Sequence, residues 1–301
     1  MVGRTGRCLR VRIEAPPRFV SDSESCRTAR GRKRYTIHSE VNGEGCNPRS
    51  MQGVFQWMVD MNLTNLFDKT PTDKSPARPT ELYPCETATL QTLRDGGYRP
   101  AVFFDIGASN GIWSDAIQLT CTEAEFYLFE PLANAVPFYK EDLRMRLERQ
   151  RNFHLHVIAL SDHCGTAEMF ATHDGWGSSL LDRGAIPEVK ERVVVPLYTL
   201  DEFVREHGLA LPQVIKLDVQ GAERRILAGA QQTIQTADIL FMETWLSREY
   251  GPDTPLLTEL IEFLRPAGFT LVELGEQFHG ERRRLHSVDA VFFSERLRGP
   301  A

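Results

Sequence analysis

The sequence predicts an α/β fold in which a mostly parallel sheet carries helices on both faces. Two observations predict it. From residue 86 onward, short apolar runs alternate with segments of helical apolar spacing, and each intervening stretch is long enough for a crossover. The first apolar run ends in FFDIGASNG, residues 103–111, where hydrophobic residues meet an acid and then a glycine-flanked turn.

The elements follow in order. Residues 1–50 hold 11 Lys+Arg and 5 Asp+Glu, a balance of +6, so the remaining chain carries −12 of a total of −6. This stretch is rich in Arg, Ser, Gly and Pro and reads as a disordered basic tail. Residues 51–68 have helix-like apolar spacing, and 70–84 form a linker by their prolines, so 51–85 is expected as a helical segment and linker. The folded domain is expected over 86–301. Its strands are expected at 101–106, 125–130, 154–160, 213–218, 238–243, 269–274 and 289–294. Helices are expected at 110–119, 133–149, 199–207, 222–235 and 254–266. Between 162 and 198, extra strands are expected around the loop HDGWGSSLLDRG.

Composition narrows the function classes. Hydrophobic residues at 42% and charged residues at 25% are ordinary globular usage. An acidic main body is a poor nucleic-acid surface. The six cysteines form no CxxC pair and no zinc-like arrangement with histidine, so free thiols and a cytoplasmic setting are expected. No run reaches the ~18 apolar residues of a membrane span, and the first residues do not read as a secretory signal.

In a doubly wound sheet, ligands bind where strands end and helices begin. FFDIGASNG lies at such a junction. Gly107 and Gly111 let the backbone turn tightly and approach a ligand, and the helix behind them offers unpaired N–H groups. The spacing is neither GxGxxG nor a P-loop, so a dinucleotide or triphosphate fits poorly. Asp105 ends the first strand and Glu130 ends the second, in YLFEP. A carboxylate at the second strand end is placed to accept both hydroxyls of a ribose. A nucleoside with a non-phosphate arm, S-adenosylmethionine, suits this pattern, with Asp105 near its sulfonium and ammonium charges. Singly, each acid also reads as a helix cap or a solvated side chain.

Two further turns join these. ALSDHCG, 159–165, follows the third strand, where Asp162 would meet an adenine amino group and Ser161 would support the loop. KLDVQGAE, 216–223, follows the fourth and sets Asp218, Gly221 and Glu223 at the centre of the crevice.

Taken in order, DIGASNG, FEP, ALSDHCG, GSSLL, YTLDEFV and KLDVQGAERRILAGA resemble the FkbM-type S-adenosylmethionine-dependent methyltransferases, over about residues 99–294. The resemblance implies a class I methyltransferase (Rossmann-like) fold with a seven-stranded sheet whose last strand is antiparallel. It implies O-methylation of a hydroxyl on a sugar, glycolipid or secondary metabolite. Cofactor contacts are then expected from Asp105, Gly107, Ala108, Asn110 and Gly111, from Glu130 and Pro131, and from Ser161 and Asp162. Many members have Glu where this chain has Gln220, which removes a charge.

Methyl transfer from a sulfonium needs an aligned nucleophile and a route for its proton. Asp218 is the first candidate base, with Glu223 and Glu243 behind it and His173 as a competitor. Lys216 lies inside a strand, where pairing with an acid is as good a reading as catalysis. Asp218 and Glu243 would alternatively hold Mg²⁺, which oxygen ligands suit, although no metal is expected. Trp176, Trp245 and Tyr250 are expected at the acceptor pocket or in the core. Ser178 and Ser179 contact substrate or shape a turn. Two other classes share the strand–turn–helix logic: an NAD(P)-binding oxidoreductase, disfavoured by the missing third glycine, and a non-catalytic cofactor-binding module.

Overall fold

A computed structural model describes residues 82–172, 175–182 and 189–298. The tail, the helical segment at 51–68 and most of the linker lie outside the described residues. The chain begins with α1 (Pro84–Asp95), then β1 (Val102–Ile106), α2 (Ile112–Gln118), β2 (Glu125–Phe129), α3 (Pro137–Arg149), β3 (Phe153–His156) and β4 (Ala159–Leu160). It continues with β5 (Gly165–Thr172), β6 (Val189–Tyr198), α4 (Leu200–His207), β7 (Val214–Leu217) and α5 (Glu223–Ala228). β8 (Ile239–Trp245), α6 (Leu257–Leu264), β9 (Phe269–His279), β10 (Leu285–Ser294) and α7 (Glu295–Arg298) complete it.

The main sheet has seven strands in the order β3-β2-β1-β7-β8-β10-β9. Neighbours from β3 to β8 pair in parallel, and β10 enters antiparallel to both β8 and β9. This is the mostly parallel, seven-stranded architecture with an antiparallel last strand. Strand β1 is buried along its whole length because alternate residues serve two cores. Phe103 packs with Trp113 and Ile117 of α2 and Leu143 of α3 on one face. Phe104 and Ile106 pack with Phe203 of α4, Leu227 of α5 and Leu260 of α6 on the other. Among the described residues, no helix is long and apolar enough to cross a membrane.

The strand order reverses between β1 and β7, and there the two following loops pack backbone on backbone. A Cβ on Gly107, at φ +77°, would lie 1.9 Å from the Asp218 carbonyl oxygen. A crevice at this reversal point is where such sheets bind ligands.

Several boundaries differ from expectation. The run 154–160 is not one strand: β3 belongs to the main sheet, while β4 joins a second sheet of order β4-β6-β5. The helix expected at 222–235 stops at Ala228, and a 3₁₀ turn follows at Thr233–Thr236. Gly229 explains the stop, because its Cβ would sit 2.1 Å from the Ser161 carbonyl oxygen. Helix α1 starts at the end of the expected linker and runs to Asp95, where no helix was expected. Pro84 opens it, a position where the missing N–H costs nothing, and Leu90 is fully buried. The last two expected strands are longer: β9 runs on to His279 and β10 starts at Leu285.

Candidate active site

The first loop is shaped by its backbone. Gly107 and Ala108 donate their N–H groups to the Phe129 carbonyl, and Gly111 donates to Ala108. Gly107 at φ +77°, Ser109 at +54° and Gly111 at +81° are all left-handed, which folds the chain back before α2. Asn110 does not face the crevice. Its Nδ2 donates to Asp142 at 2.8 Å, and its Oδ1 accepts the Ile112 N–H at 3.3 Å, so it ties the start of α2 to α3.

Asp105 corrects an expectation. It is completely buried and is not among the residues that line the crevice. The parallel register of β1 and β7 sets it beside Lys216. Lys216 Nζ lies 3.2 Å from Asp105 Oδ1, and the Ser114 hydroxyl donates to Oδ2 at 2.7 Å. The same ammonium donates to the Gly107 carbonyl at 3.0 Å and lies 3.5 Å from Asp218 Oδ2. Burial pulls the Lys216 pKa down, but the carboxylates of Asp105 and Asp218 outweigh it and raise it. Asp105 therefore anchors the cation that braces both loops, and no face of it is open to a ligand.

Glu130, just after β2, is buried but does line the crevice. One oxygen accepts the Ser109 N–H and the other the Leu132 N–H, each at 2.8 Å. Burial pushes its pKa up to about 7, although those two amides pull the other way. Pro131 and Ala108 line the same cleft, whose apolar walls include Phe129, Ile158, Leu160 and Ile226. The cleft and the open solvent at its mouth together enclose about 780 Å³. Ser161 is buried, and its hydroxyl donates to Asp162 at 3.1 Å. Asp162 is half-exposed and paired with His163 at 2.7 Å, and neither Ser161 nor Asp162 lines the cleft.

The centre lies beyond β7. Asp218 borders this cleft and a second, wider one, which with the open solvent before it encloses about 2160 Å³. Gln220, at φ +56°, was not among the expected functional residues, yet it bridges the centre. Its Nε2 donates to Asp218 Oδ1 at 2.8 Å and to Glu243 Oε2 at 2.6 Å, and its Oε1 accepts the Tyr250 hydroxyl. Burial, followed by the charge of Asp218, pushes the Glu243 pKa well up. Glu223 is a second correction. It is fully buried, lines neither cleft, and accepts the Gly221 N–H at 3.0 Å. Burial pushes its pKa up to about 7. As the first residue of α5 it ties down the Gly221 turn that precedes the helix, and it borders neither cleft.

Trp176 lies between the two clefts and is half-exposed, packed against Phe138 and Tyr139. Trp245 is buried, but it lines the second cleft with Tyr250 and Phe278. Ser178 lines the first cleft, with its hydroxyl accepting the Thr172 N–H. Ser179 lines neither cleft: its hydroxyl donates to the Gln220 carbonyl at 2.7 Å and accepts the Leu181 N–H, so it shapes the turn. His173 lies outside the described residues. The second cleft also carries Glu86, Glu249, Glu276 and Asp289, and burial pushes the Asp289 pKa up to about 8. Among the described residues, no three acids, histidines or cysteines converge as metal ligands.

Comparison with known proteins bears on this geometry. The Methyltransferase FkbM domain model matches residues 105–271, more than half of the 301 residues. The 2-O-methyltransferase NoeI of Sinorhizobium fredii is 29% identical over 171 residues, covering 52% of this chain and 68% of that protein. The 31-O-demethyl-FK506 methyltransferase FkbM of Streptomyces tacrolimicus is 25% identical over 199 residues, covering 57% and 73%. The crystal structure of Methyltransferase FkbM from Methylobacillus flagellatus aligns with a TM-score of 0.43 at 16% identity, over 67% of this chain and 47% of that one. The present chain thus spans about half the length of that protein. The matched residues run from Asp105 at the end of β1 through the glycine turn, Glu130 and the Asp218 loop into β9, and on that match the chain belongs to the FkbM methyltransferase family.

Proposed function

We propose that the protein transfers a methyl group from S-adenosylmethionine to a hydroxyl of a small molecule or glycan. The observation that carries this reading is Glu130, a buried carboxylate at a strand end in an apolar cleft, joined through Asp218 to a second cleft of mixed aromatic and polar character. The residues fit the cofactor. Glu130 spends one lone pair of each oxygen on a loop amide and keeps others for ribose hydroxyls. Ile158, Leu160 and Ile226 offer flat apolar contact for a base. Lys216, the cation at this cleft, is already committed to Asp105 and the Gly107 carbonyl, so the cleft does not suit a phosphate.

Bound S-adenosylmethionine supplies an activated methyl group on a cationic sulfur. The chain supplies position and a proton acceptor. Asp218 stands where the two clefts meet, with its side chain 39% exposed, and takes the proton of the acceptor hydroxyl. Trp176, Trp245, Tyr250 and Phe278 give faces on which a sugar ring stacks. Glu249, Glu276 and Asp289 accept hydrogen bonds from further hydroxyls. The names of the two relatives, a 2-O-methyltransferase and a 31-O-demethyl-FK506 methyltransferase, support oxygen as the acceptor atom.

The test is Asp218→Asn, assayed with radiolabelled methyl donor against a panel of glycosides, polyols and polyketide alcohols. Transfer is expected to slow about 10²-fold or more, the usual worth of a positioned base, with cofactor affinity nearly unchanged. Full activity in the variant would remove Asp218 as the base.

A further inference from the structure

The Gln220 side chain is fully committed. Its amide nitrogen carries two hydrogens, and both point at carboxylates, Asp218 Oδ1 at 2.8 Å and Glu243 Oε2 at 2.6 Å. Its carbonyl takes the Tyr250 phenol. The opposite amide orientation would aim an oxygen at two acids, so the hydrogen-bond pattern dictates this one. The backbone is held as well: φ is +56°, Gly221 follows at +98°, and the Ser179 hydroxyl donates to the Gln220 carbonyl oxygen at 2.7 Å. Asp218 has Oδ1 on the amide and Oδ2 3.5 Å from the Lys216 ammonium. Glu243 has Oε2 on the amide and Oε1 accepting from the Ser287 hydroxyl at 3.3 Å.

One amide thus bridges two part-buried carboxylates, Asp218 with an exposed edge and Glu243 deeper at the end of β8. Each N–H donated to a carboxylate favours its charged form. A single amide that donates to both therefore opposes protonation of both. We propose that Gln220 is a positioning residue whose one amide, donating to Asp218 and Glu243 together, favours the charged form of both and so keeps Asp218 able to accept a proton. The Asp218 half of this statement rests on the base role proposed above.

Other groups face the pair from every side. Lys216 of β7 is backed by Asp105 of β1, and Glu223 lies at the start of α5. Asp289 and His286 of β10 and Tyr250 line the second cleft with Glu243. Glu86 and Cys85 of α1, Tyr83 before them, Glu249, Arg284, and Glu276 and His279 of β9 line the same cleft. These stay in place when only position 220 is changed, so a difference between variants isolates the amide.

The experiment uses the full chain with ¹³C-labelled Asp and Glu carboxyls, titrated by NMR with no acceptor present. Asp218→Asn and Glu243→Gln assign the signals. Gln220→Met keeps the length and removes both donors, and S-adenosylhomocysteine binding checks that its site is intact. The midpoints of the pair are expected to rise by about one pH unit or more, since each lost donor disfavours the charged forms. Gln220→Glu, which adds a third carboxyl, is expected to raise them further and to bring an extra proton into the cluster. It carries the test if Gln220→Met fails to fold. Unchanged midpoints in both variants overturn the inference and leave the base role standing. Shifted midpoints together with full activity in Asp218→Asn support the effect of Gln220 on the pair while ending the base role.

Discussion

Asp105 and Glu130 both stand at strand ends, yet the fold uses them differently. Asp105 is closed in by Lys216 and Ser114, whereas Glu130 keeps an edge on the cleft. Sequence spacing does not separate the two. The partner that closes off Asp105 lies on β7, and only the sheet order brings it alongside. Gln220 was equally hidden, because its role depends on Glu243 and Tyr250 from a later strand and loop. Glu130→Gln would turn an NH₂ toward the N–H of either Ser109 or Leu132. We expect it to weaken S-adenosylmethionine binding by about 2 kcal/mol, as charge-assisted bonds are lost and an amide is left unpaired. Calorimetry with equal affinity in both proteins would contradict the assignment.

Glu223 makes a stability prediction of definite sign. Burial raises its pKa from 4.5 to about 7 in the folded chain. Below about pH 4.5 both the folded and the unfolded chain hold the proton. As pH rises toward 7 the unfolded chain loses it first, so this residue's contribution to stability falls across that window and is flat above it. Glu223→Gln removes the effect. Relative to the natural chain, the variant is expected to gain up to about 3 kcal/mol between pH 4.5 and pH 8, from 1.36 kcal/mol per pKa unit. Urea unfolding at the two pH values measures this, and parallel pH dependence in the two proteins would refute it.

At the scale of elements, the strand–helix alternation was legible because β1, β2, β7 and β8 are short apolar runs with punctuated ends. Two misreadings share a physical origin, a tertiary contact that overrides a local pattern, and a third is a local ambiguity. The run 154–160 divides because β4 leaves the main sheet for β6. The helix after Glu223 stops because Gly229 passes close to Ser161. Helix α1 was hidden because proline marks both linkers and helix starts. The contact between the β1 and β7 loops makes the sharpest prediction here. Gly107→Ala should destabilise the fold by about 3 kcal/mol or more and abolish cofactor binding, because its Cβ would fall 1.9 Å from the Asp218 oxygen. Gly208→Ala, also left-handed at φ +60° but with nothing within 4 Å of its Cβ, should cost only about 1 kcal/mol. Denaturant unfolding compares the two, and equal losses would show that the close approach is not what matters.

At the scale of the whole folded unit, the fold was readable from motifs at successive strand ends, and so were Gly107, Ala108, Glu130 and Pro131 as residues of the first cleft. The acceptor side was not. Its walls come from α1, from the long β9–β10 hairpin and from the turn at 175–182, which carry no periodic or motif signal. The central claim is that the crevice between β1 and β7 takes a sulfur nucleoside. Calorimetry with S-adenosylmethionine and S-adenosylhomocysteine, with NAD⁺ as control, tests it most directly. Micromolar binding of both sulfur nucleosides and none of NAD⁺ is the predicted result, while binding of NAD⁺ alone, or of none of the three, would contradict it.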